Sequence, residues 1–366
     1  MTRVVAIILH AVPGAGAGPL ESVFAMARAR NAARQARGFA AAGAISRVVE
    51  THPGGTPFGA RLRRLAALDA GAGIIVLGSG SVPLATATDR RAFVTAARGT
   101  GHALTNNRYS GDIVAIPAKV ALGGLSEVPE LPELPELPEL PELPGRPGRP
   151  ELTGDNGLPR WLADRGVEVR DLLSRWRLQV DLDSPIDAFF AGLAEPNDPA
   201  LLRVRDAHMR VTTRTTDPRA ELLVAGRTSS DSLHWVEAHT ASRTRALIEE
   251  RGMKTAGPSQ RPTRSSLGLL LDRDGPAAFG DLMATLGDAA VVDTRVLMAH
   301  RFGRDEASWP VPEDRFASDL LLHERIVDPW LRTLTAAAHA ATVPILLGGH
   351  TLVGPGLRLV LGARRR

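Results

Sequence analysis

Two segments of the chain place polar side chains directly after apolar runs that have the pattern of buried strands. In the first, the run Gly73–Gly78 is followed by Ser79 and Ser81. In the second, Asp181 and Asp183 end a shorter apolar run. Ligands of open α/β sheets bind at the carboxyl ends of the strands, so both segments are candidates for a small-molecule site.

A glycine-rich loop follows the first apolar run of the chain and precedes a helical pattern. It contains Gly14, Gly16 and Gly18. Glycines in this setting let backbone N–H groups approach an anion at the start of a helix. The spacing matches neither the dinucleotide fingerprint nor the P-loop, because the third glycine is misplaced and no Lys-Ser/Thr pair follows. A phosphate-binding loop and a flexible turn both remain open.

A second polar loop lies between an apolar run and a helical pattern in the last part of the chain. Arg227, Thr228, Ser229 and Ser230 are residue types that suit a phosphate at the start of a helix. An ordinary helix cap at Ser230 or Asp231 explains the same residues.

Two further polar groups follow apolar runs closer to the end of the sequence. Asp293, Arg295 and His300 surround the end of one run. His350 lies at the tip of a Gly-rich loop after another. That loop is typical of a tight structural turn and could also line a cleft.

The elements that position these residues alternate between strand and helix patterns. This alternation predicts an α/β fold, with a mixed, mainly parallel sheet flanked by helices in residues 1–195. A second, helix-rich α/β domain is predicted for residues 200–366, after a linker near Glu195–Pro199. Within it, the apolar spacing predicts one long helix through Ser232–Arg251.

A low-complexity insert interrupts the first domain at residues 128–152. It repeats the triplet Pro-Glu-Leu and continues into a Pro-Gly-Arg repeat. Proline at every third residue blocks both helix and sheet, so we expect a polyproline II rod or disorder. The repeat has the composition of an expanded surface loop, and a role in docking a partner is the alternative.

Composition narrows the classes of function. The formal net charge is only +4 over 366 residues. Proteins that bind nucleic acid carry a clustered basic face, so we do not expect a nucleic-acid partner. Cysteine is absent, which excludes disulfides, thiolate nucleophiles and cysteine-based metal sites. We find neither a signal-peptide pattern nor a run of about 20 apolar residues, so we expect a soluble cytoplasmic protein without a membrane partner. The oligomeric state stays open.

The order of these segments resembles a known family. A Gly-rich loop after the first strand, a strand ending in a small residue followed by x-Pro-Leu, and the segment from Val180 to Asp187 are similar to nucleotidyltransferases of the molybdenum cofactor and to phospholactate guanylyltransferases. The resemblance covers residues 1 to about 192. It implies a glycosyltransferase-A-like fold of the nucleotide-diphospho-sugar-transferase type, with Leu178–Asp181 as a strand of the first sheet.

The resemblance also implies an activity and its residues. The reaction would be metal-dependent nucleotidyl transfer from a nucleoside triphosphate to a small phosphorylated or hydroxylated acceptor, with release of pyrophosphate. Asp183, with Asp181 beside it, would hold Mg²⁺, whose preferred ligands are carboxylate and phosphate oxygens. The loop glycines, with Ser79 and Ser81, would bind the nucleotide. Arg108 would meet the acceptor.

Two departures from the family pattern bear on catalysis. Ser81 stands where the family has an aspartate, and the Ala11–Pro19 loop carries no cation to grip a triphosphate. Either the site is rebuilt, with Asp89 or Asp112 supplying a carboxylate, or the chain binds a nucleotide or sugar nucleotide without turnover. An ordinary helix start also explains Ser184 and the proline after it. A nicotinamide-dependent enzyme is a third interpretation, which the glycine spacing disfavours.

Overall fold

The computed structural model describes residues 2–52, 56–120, 122, 152, 155–249 and 262–362, and the chain divides into two compact units. The first unit comprises Met1–Val12, Ala32–Ser81 and Ala85–Arg175. The second comprises Pro13–Asn31, Val82–Leu84 and Trp176–Arg366. The sequence predicted a change of domain between residues 195 and 200, whereas the main change between the compact units falls at residue 175. Nearly all of the Pro-Glu-Leu insert lies outside the described residues.

The first unit is built on a mixed sheet, which confirms the predicted α/β class. Among the described residues it has six strands in the order β2-β1-β3-β5-β4-β6. The pairs β1–β2, β1–β3 and β4–β6 are parallel, and β5 runs antiparallel to β3 and β4. The strands are β1 (Val4–Ala11), β2 (Ile45–Thr51), β3 (Gly73–Gly78), β4 (Ala103–Thr105), β5 (Ile113–Ile116) and β6 (Val169–Asp171).

Helices flank this sheet. The described helices are α1 (Pro19–Ala41), α2 (Phe58–Ala67), α3 (Ala87–Arg98) and α4 (Leu158–Ala163). Leu62 of α2 and Leu158 of α4 join Val5, Ile7 and Ile74 in one apolar core. Helix α3 packs against β3, β4 and β5.

The second unit contains a parallel sheet. Its described strands are β7 (Glu221–Gly226), β8 (Arg243–Ile248), β9 (Ala289–Asp293) and β10 (Ile345–Gly348), in the order β10-β9-β7-β8. All three strand pairs are parallel. Strand β9 is buried along its whole length, as expected for a central parallel strand with both faces covered. The chain leaves β7 toward β8 on one side, while β9 lies on the other side, so β7 and β9 flank a topological switch point.

This unit is rich in helices, as predicted. The described helices are α5 (Pro185–Phe190), α6 (Leu202–Arg214), α7 (Ser230–His239), α8 (Ser266–Asp274), α9 (Phe279–Leu286), α10 (Thr294–Phe302), α11 (Pro312–Asp319), α12 (Pro329–Ala340), α13 (His350–Val353) and α14 (Leu357–Gly362). Within the described part of the chain, none of the helices has the length and apolar character needed to span a bilayer.

Two predicted elements are wrong. The long helix through Ser232–Arg251 ends at His239, and residues 243–248 instead form β8, because they pair with β7 over six residues. The predicted strand Leu178–Asp181 is absent from the first sheet among the described residues. The chain there forms a 3₁₀ turn (Trp176–Leu178). The backbone N–H of Asp181 donates to the Thr351 hydroxyl, which in turn donates to the backbone carbonyl of Asp181.

Candidate functional site

The first sheet has its own switch point, between β1 and β3. Helix α1 leads from β1 to β2 on one side, and β3 lies on the other. His10, near the end of β1, and Ser79, just after β3, meet there, with 3.1 Å between Nδ1 and Oγ. Ser79 and Ser81 are both buried. The structure therefore places the two predicted serines at the carboxyl edge of the sheet, where open α/β sheets bind their ligands, together with a histidine that the sequence analysis missed.

The backbone after Ser81 has an uncommon conformation. The N–H of Ser81 donates to the carbonyl of Gly78 at 3.1 Å, which closes a tight turn after β3. Val82 follows with φ of 43°, in the left-handed region that β-branched residues rarely adopt. Residues held in such conformations cluster at functional sites, so this turn is a candidate on backbone grounds as well.

Arg108 and Asp112 lie in the same unit as these serines, and both have structural partners. Arg108 donates to the carbonyl of Val169 at 3.0 Å, and its Nε lies 3.7 Å from Asp171. The Asp112 carboxylate accepts a hydrogen bond from the Asn106 side-chain amide at 2.7 Å. The backbone N–H of Asp112 donates to the side-chain oxygen of Asn106. These bonds hold the loop after β4 in place, and the catalytic roles of Arg108 and Asp112 stay predictions.

The glycine-rich loop leads into α1, and the start of that helix already holds a carboxylate. The Glu313 side chain accepts from the backbone N–H of Leu20 at 2.9 Å and of Glu21 at 3.1 Å. Gly18 is close to this group, because a Cβ added there would lie 2.3 Å from the Glu313 side chain. Gly14 accepts a turn bond from Ala17, and Gly16 has open space around it. The predicted role of these glycines in binding phosphate stays a prediction, and two donors at the start of α1 are taken by Glu313.

Asp181 and Asp183 belong to the second unit. Asp183 is exposed, and its backbone N–H donates to Asp187 at 3.1 Å. Helix α5 begins at Pro185 with Ser184 as its N-cap residue, so the helix-start interpretation is confirmed. The Ser184 side chain caps no backbone N–H of the helix; instead its hydroxyl donates to the Asp187 carboxyl group at 3.0 Å. A Ser followed three residues later by an acid is a known helix-start pattern, and it could have drawn attention to Asp187.

Asp187 is a buried acid. Burial raises the pKa of its carboxyl group well above the ordinary value, and the nearby carboxylates of Asp183 and Asp319 raise it further. Its Oδ1 has no hydrogen-bond partner among the described residues. Asp187 therefore keeps its proton to a higher pH than an ordinary aspartate does.

Two buried ion pairs lie near the carboxyl edge of the second sheet. Arg227, after β7, donates to Asp293, the last residue of β9, at 2.6 and 3.2 Å. Arg295, the second residue of α10, donates to Asp319 at 2.6 Å through both terminal nitrogens. Burial raises the pKa of the Asp293 carboxyl, but Arg227, together with Arg295 and His350, lowers it by more, so the pKa lies below its ordinary value.

His300, which the sequence placed in the same group, lies elsewhere. It accepts from the backbone of Ser265 at 3.0 Å and contacts Asp272 at 2.9 Å, near the start and end of α8.

The donor set near α5 is of the kind that Mg²⁺ uses. This ion takes one or two carboxylates together with water and substrate phosphates, so Asp181 and Asp183 fit it by type. Among the described residues, no three His, Asp or Glu side chains are grouped to hold a metal ion by themselves.

The chain was compared with known proteins. It matches no protein-family model. No curated protein is significantly similar to it in sequence.

Proposed function

We propose that the chain is a nucleotide- or sugar-nucleotide-binding protein whose ligand binds at the carboxyl edge of the first sheet. The observation that carries this proposal is the contact of His10 with Ser79 at the β1–β3 switch point. The mixed, mainly parallel sheet with flanking helices is compatible with the nucleotide-diphospho-sugar-transferase architecture that the sequence resemblance implies.

The side chains at this edge suit hydrogen bonding more than metal binding. Imidazole and serine hydroxyl groups both donate and accept hydrogen bonds, so they can bind ribose hydroxyls or the edge of a base. Small serine side chains also let a ligand approach the backbone. Ser81 stands where the family has a metal-binding aspartate, and a hydroxyl is a poor Mg²⁺ ligand. Binding without turnover is therefore the function that the geometry supports best.

Metal-dependent nucleotidyl transfer is the second candidate. One observation favours it: Asp183 is an exposed carboxylate of the type that Mg²⁺ takes. When bound, Mg²⁺ would neutralise charge as pyrophosphate leaves. The acceptor would be a small phosphorylated or hydroxylated molecule.

The test is thermal stability against a panel of nucleoside triphosphates and sugar nucleotides, each with and without Mg²⁺. A ligand at a hundredfold excess over its dissociation constant stabilises the native state by about 2.7 kcal/mol. A shift that needs no Mg²⁺, without pyrophosphate release, supports binding. A Mg²⁺-dependent shift with pyrophosphate release supports transfer. No shift with any ligand overturns both candidates.

Two variants locate the site. Ser79→Ala removes the hydroxyl that contacts His10 and should reduce the ligand-induced shift. Ser46→Ala is the matched control, because Ser46 is a serine on β2 whose buried hydroxyl has no partner among the described residues. Equal shifts in the two variants would place the ligand elsewhere.

Ser81→Asp separates the two functions. If it creates pyrophosphate release in an inert protein, the chain is a binding protein that lost its metal site. If it abolishes an existing activity, the site was rebuilt around the serine.

A further inference from the structure

The second switch point, between β7 and β9, holds an arginine oriented by a buried carboxylate. The side chain of Asp293 is fully buried, and that of Arg227 is 20% exposed. The arginine therefore reaches the surface while its partner lies below it. Bidentate pairing fixes the plane of a guanidinium group, which reduces the entropy lost when it binds an anion.

The end of β7 is shaped to allow this pair. Gly226 has φ of 130°, and a Cβ added there would lie 2.3 Å from the Cβ of Asp293. A glycine is required for β7 and β9 to approach so closely at this edge. Buried ion pairs contribute little stability compared with apolar residues, so a binding role explains the pair better than a stabilising one.

Asp293 is already saturated by donors. It accepts two bonds from Arg227 and one from the backbone N–H of Arg295 at 3.1 Å. These bonds use Nε and Nη2 of Arg227. Its Nη1 has no hydrogen-bond partner within the described part of the chain, and a guanidinium group has donors to spare for a ligand.

The surroundings of Arg227 are rich in donors. The hydroxyl oxygen of Thr228 is buried and has no partner among the residues described. His350 is exposed, and its charge contributes to the low pKa of the Asp293 carboxyl. The loop that follows His350 is close, since a Cβ at Gly354 would lie 3.8 Å from the Arg227 carbonyl.

Helix α7 points its positive end toward the same loop. It begins at Ser230, and its first-turn carboxylate, Asp231, is neutralised by Arg358 at 2.6 Å. The N-terminus of a helix favours anions, so it adds to the attraction of Arg227 without being the site by itself.

We propose that Arg227, Thr228 and His350 form an oxyanion site that binds the phosphate group of a small metabolite. Arg227 binds two phosphate oxygens, and Asp293 is its positioning residue. The Thr228 hydroxyl donates a hydrogen bond to the phosphate, and His350, the first residue of α13, completes the site. This site belongs to the second unit and does not depend on the nucleotide site proposed for the first.

Calorimetric titration of the full chain with inorganic phosphate, pyrophosphate and ribose 5-phosphate tests the proposal. Arg227→Gln should weaken binding by roughly 10- to 100-fold, the loss expected for a hydrogen bond to a charged group. Thr228→Val should weaken it by less. Arg219→Gln is the control, because Arg219 is 90% exposed before β7, and it should bind as the wild type does.

Arg227→Gln leaves Asp293 buried without its partner and can fail to fold. The double variant Arg227→Gln/Asp293→Asn removes both charges and keeps the test decisive. Preference for ribose 5-phosphate over inorganic phosphate identifies a phosphate ester as the ligand, and equal affinity identifies free phosphate. The proposal is overturned if none of the three probes binds at millimolar concentration. It is also overturned if folded Thr228→Val and double variants bind as tightly as the wild type.

Discussion

Arg295 and Asp319 form a buried ion pair in which both terminal nitrogens of the arginine lie 2.6 Å from a carboxylate oxygen. Burial by itself lowers the pKa of Arg295, but Asp319, together with Asp293 and Asp187, more than offsets this effect, so the guanidinium stays charged. The pair joins α10 to the end of α11, and Asp319 also acts on Asp187. Several charges beneath the second sheet's edge are therefore coupled.

Removing one member of this pair should be costly. Arg295→Met leaves an unpaired buried carboxylate, and the expected loss in the free energy of unfolding is about 3–5 kcal/mol. The double variant Arg295→Met/Asp319→Leu should recover most of that loss, because it removes both charges. Urea unfolding gives the free energy of unfolding of the wild type, of Arg295→Met and of the double variant. A double variant no more stable than Arg295→Met would contradict the interpretation. The exposed pair Arg219–Asp217 is the control, and breaking it should change nothing measurable.

Asp187 should make stability depend on pH. Its pKa in the folded chain lies well above 3.8, the ordinary value, which the unfolded chain should keep. Between 3.8 and the folded-state pKa, the folded state holds a proton that the unfolded state has lost. The free energy of unfolding therefore falls as pH rises through this window. Asp187→Asn removes that dependence, so the advantage of wild type over the variant should shrink as pH rises.

Chemical unfolding of the wild type and of Asp187→Asn across this pH range measures the difference in their free energies of unfolding. The exposed Asp281 in the first turn of α9 supplies a matched Asp→Asn control, whose pH dependence should follow the wild type. A difference between wild type and Asp187→Asn that stays constant with pH would show that Asp187 is ionised in the folded chain.

Glu313 should stabilise the start of α1. Its carboxylate accepts from the N–H groups of Leu20 and Glu21, so Glu313→Ala should cost roughly 1–2 kcal/mol, as the loss of a helix cap does. Hydrogen exchange at these two amides should quicken. Glu21→Ala is the control, because Glu21 reaches only the Gly18 amide, at the longer distance of 3.4 Å. Equal losses would mean that Glu313 has no special role.

Two glycines with positive φ should respond differently to alanine. Gly275→Ala meets nothing within 4 Å, so only backbone strain of about 1–3 kcal/mol is expected. Gly226 also has a positive φ, and Gly226→Ala in addition clashes with Asp293, so it should cost more than Gly275→Ala. Thermal unfolding compares the two variants. A similar shift in both would show that β7 and β9 can separate without penalty.

The sequence predicted the central strands well, because β3 and β9 are continuous apolar runs and such runs mark strands with both faces covered. It failed at β8, an edge strand whose residues are all exposed or half-buried and whose conformation is set by pairing with β7. It named Arg227, Asp293 and Arg295 as polar residues near strand ends, yet it could not pair them, since the partners are 66 and 24 residues apart. Asp187 was missed because its raised pKa arises from burial and from two nearby carboxylates, which only the fold brings about.

The grouping of Pro13–Asn31 with the second unit bears on how the chain folds during synthesis. Leu20, Phe24 and Ala27 belong to the same core as Phe316 and Leu320. The bond from Leu20 to Glu313 spans 293 residues. The apolar face of α1 therefore stays exposed to solvent during synthesis, until the residues that cover it, near the end of the chain, have left the ribosome. Such long-range contacts slow folding and leave a nascent chain open to chaperones or aggregation.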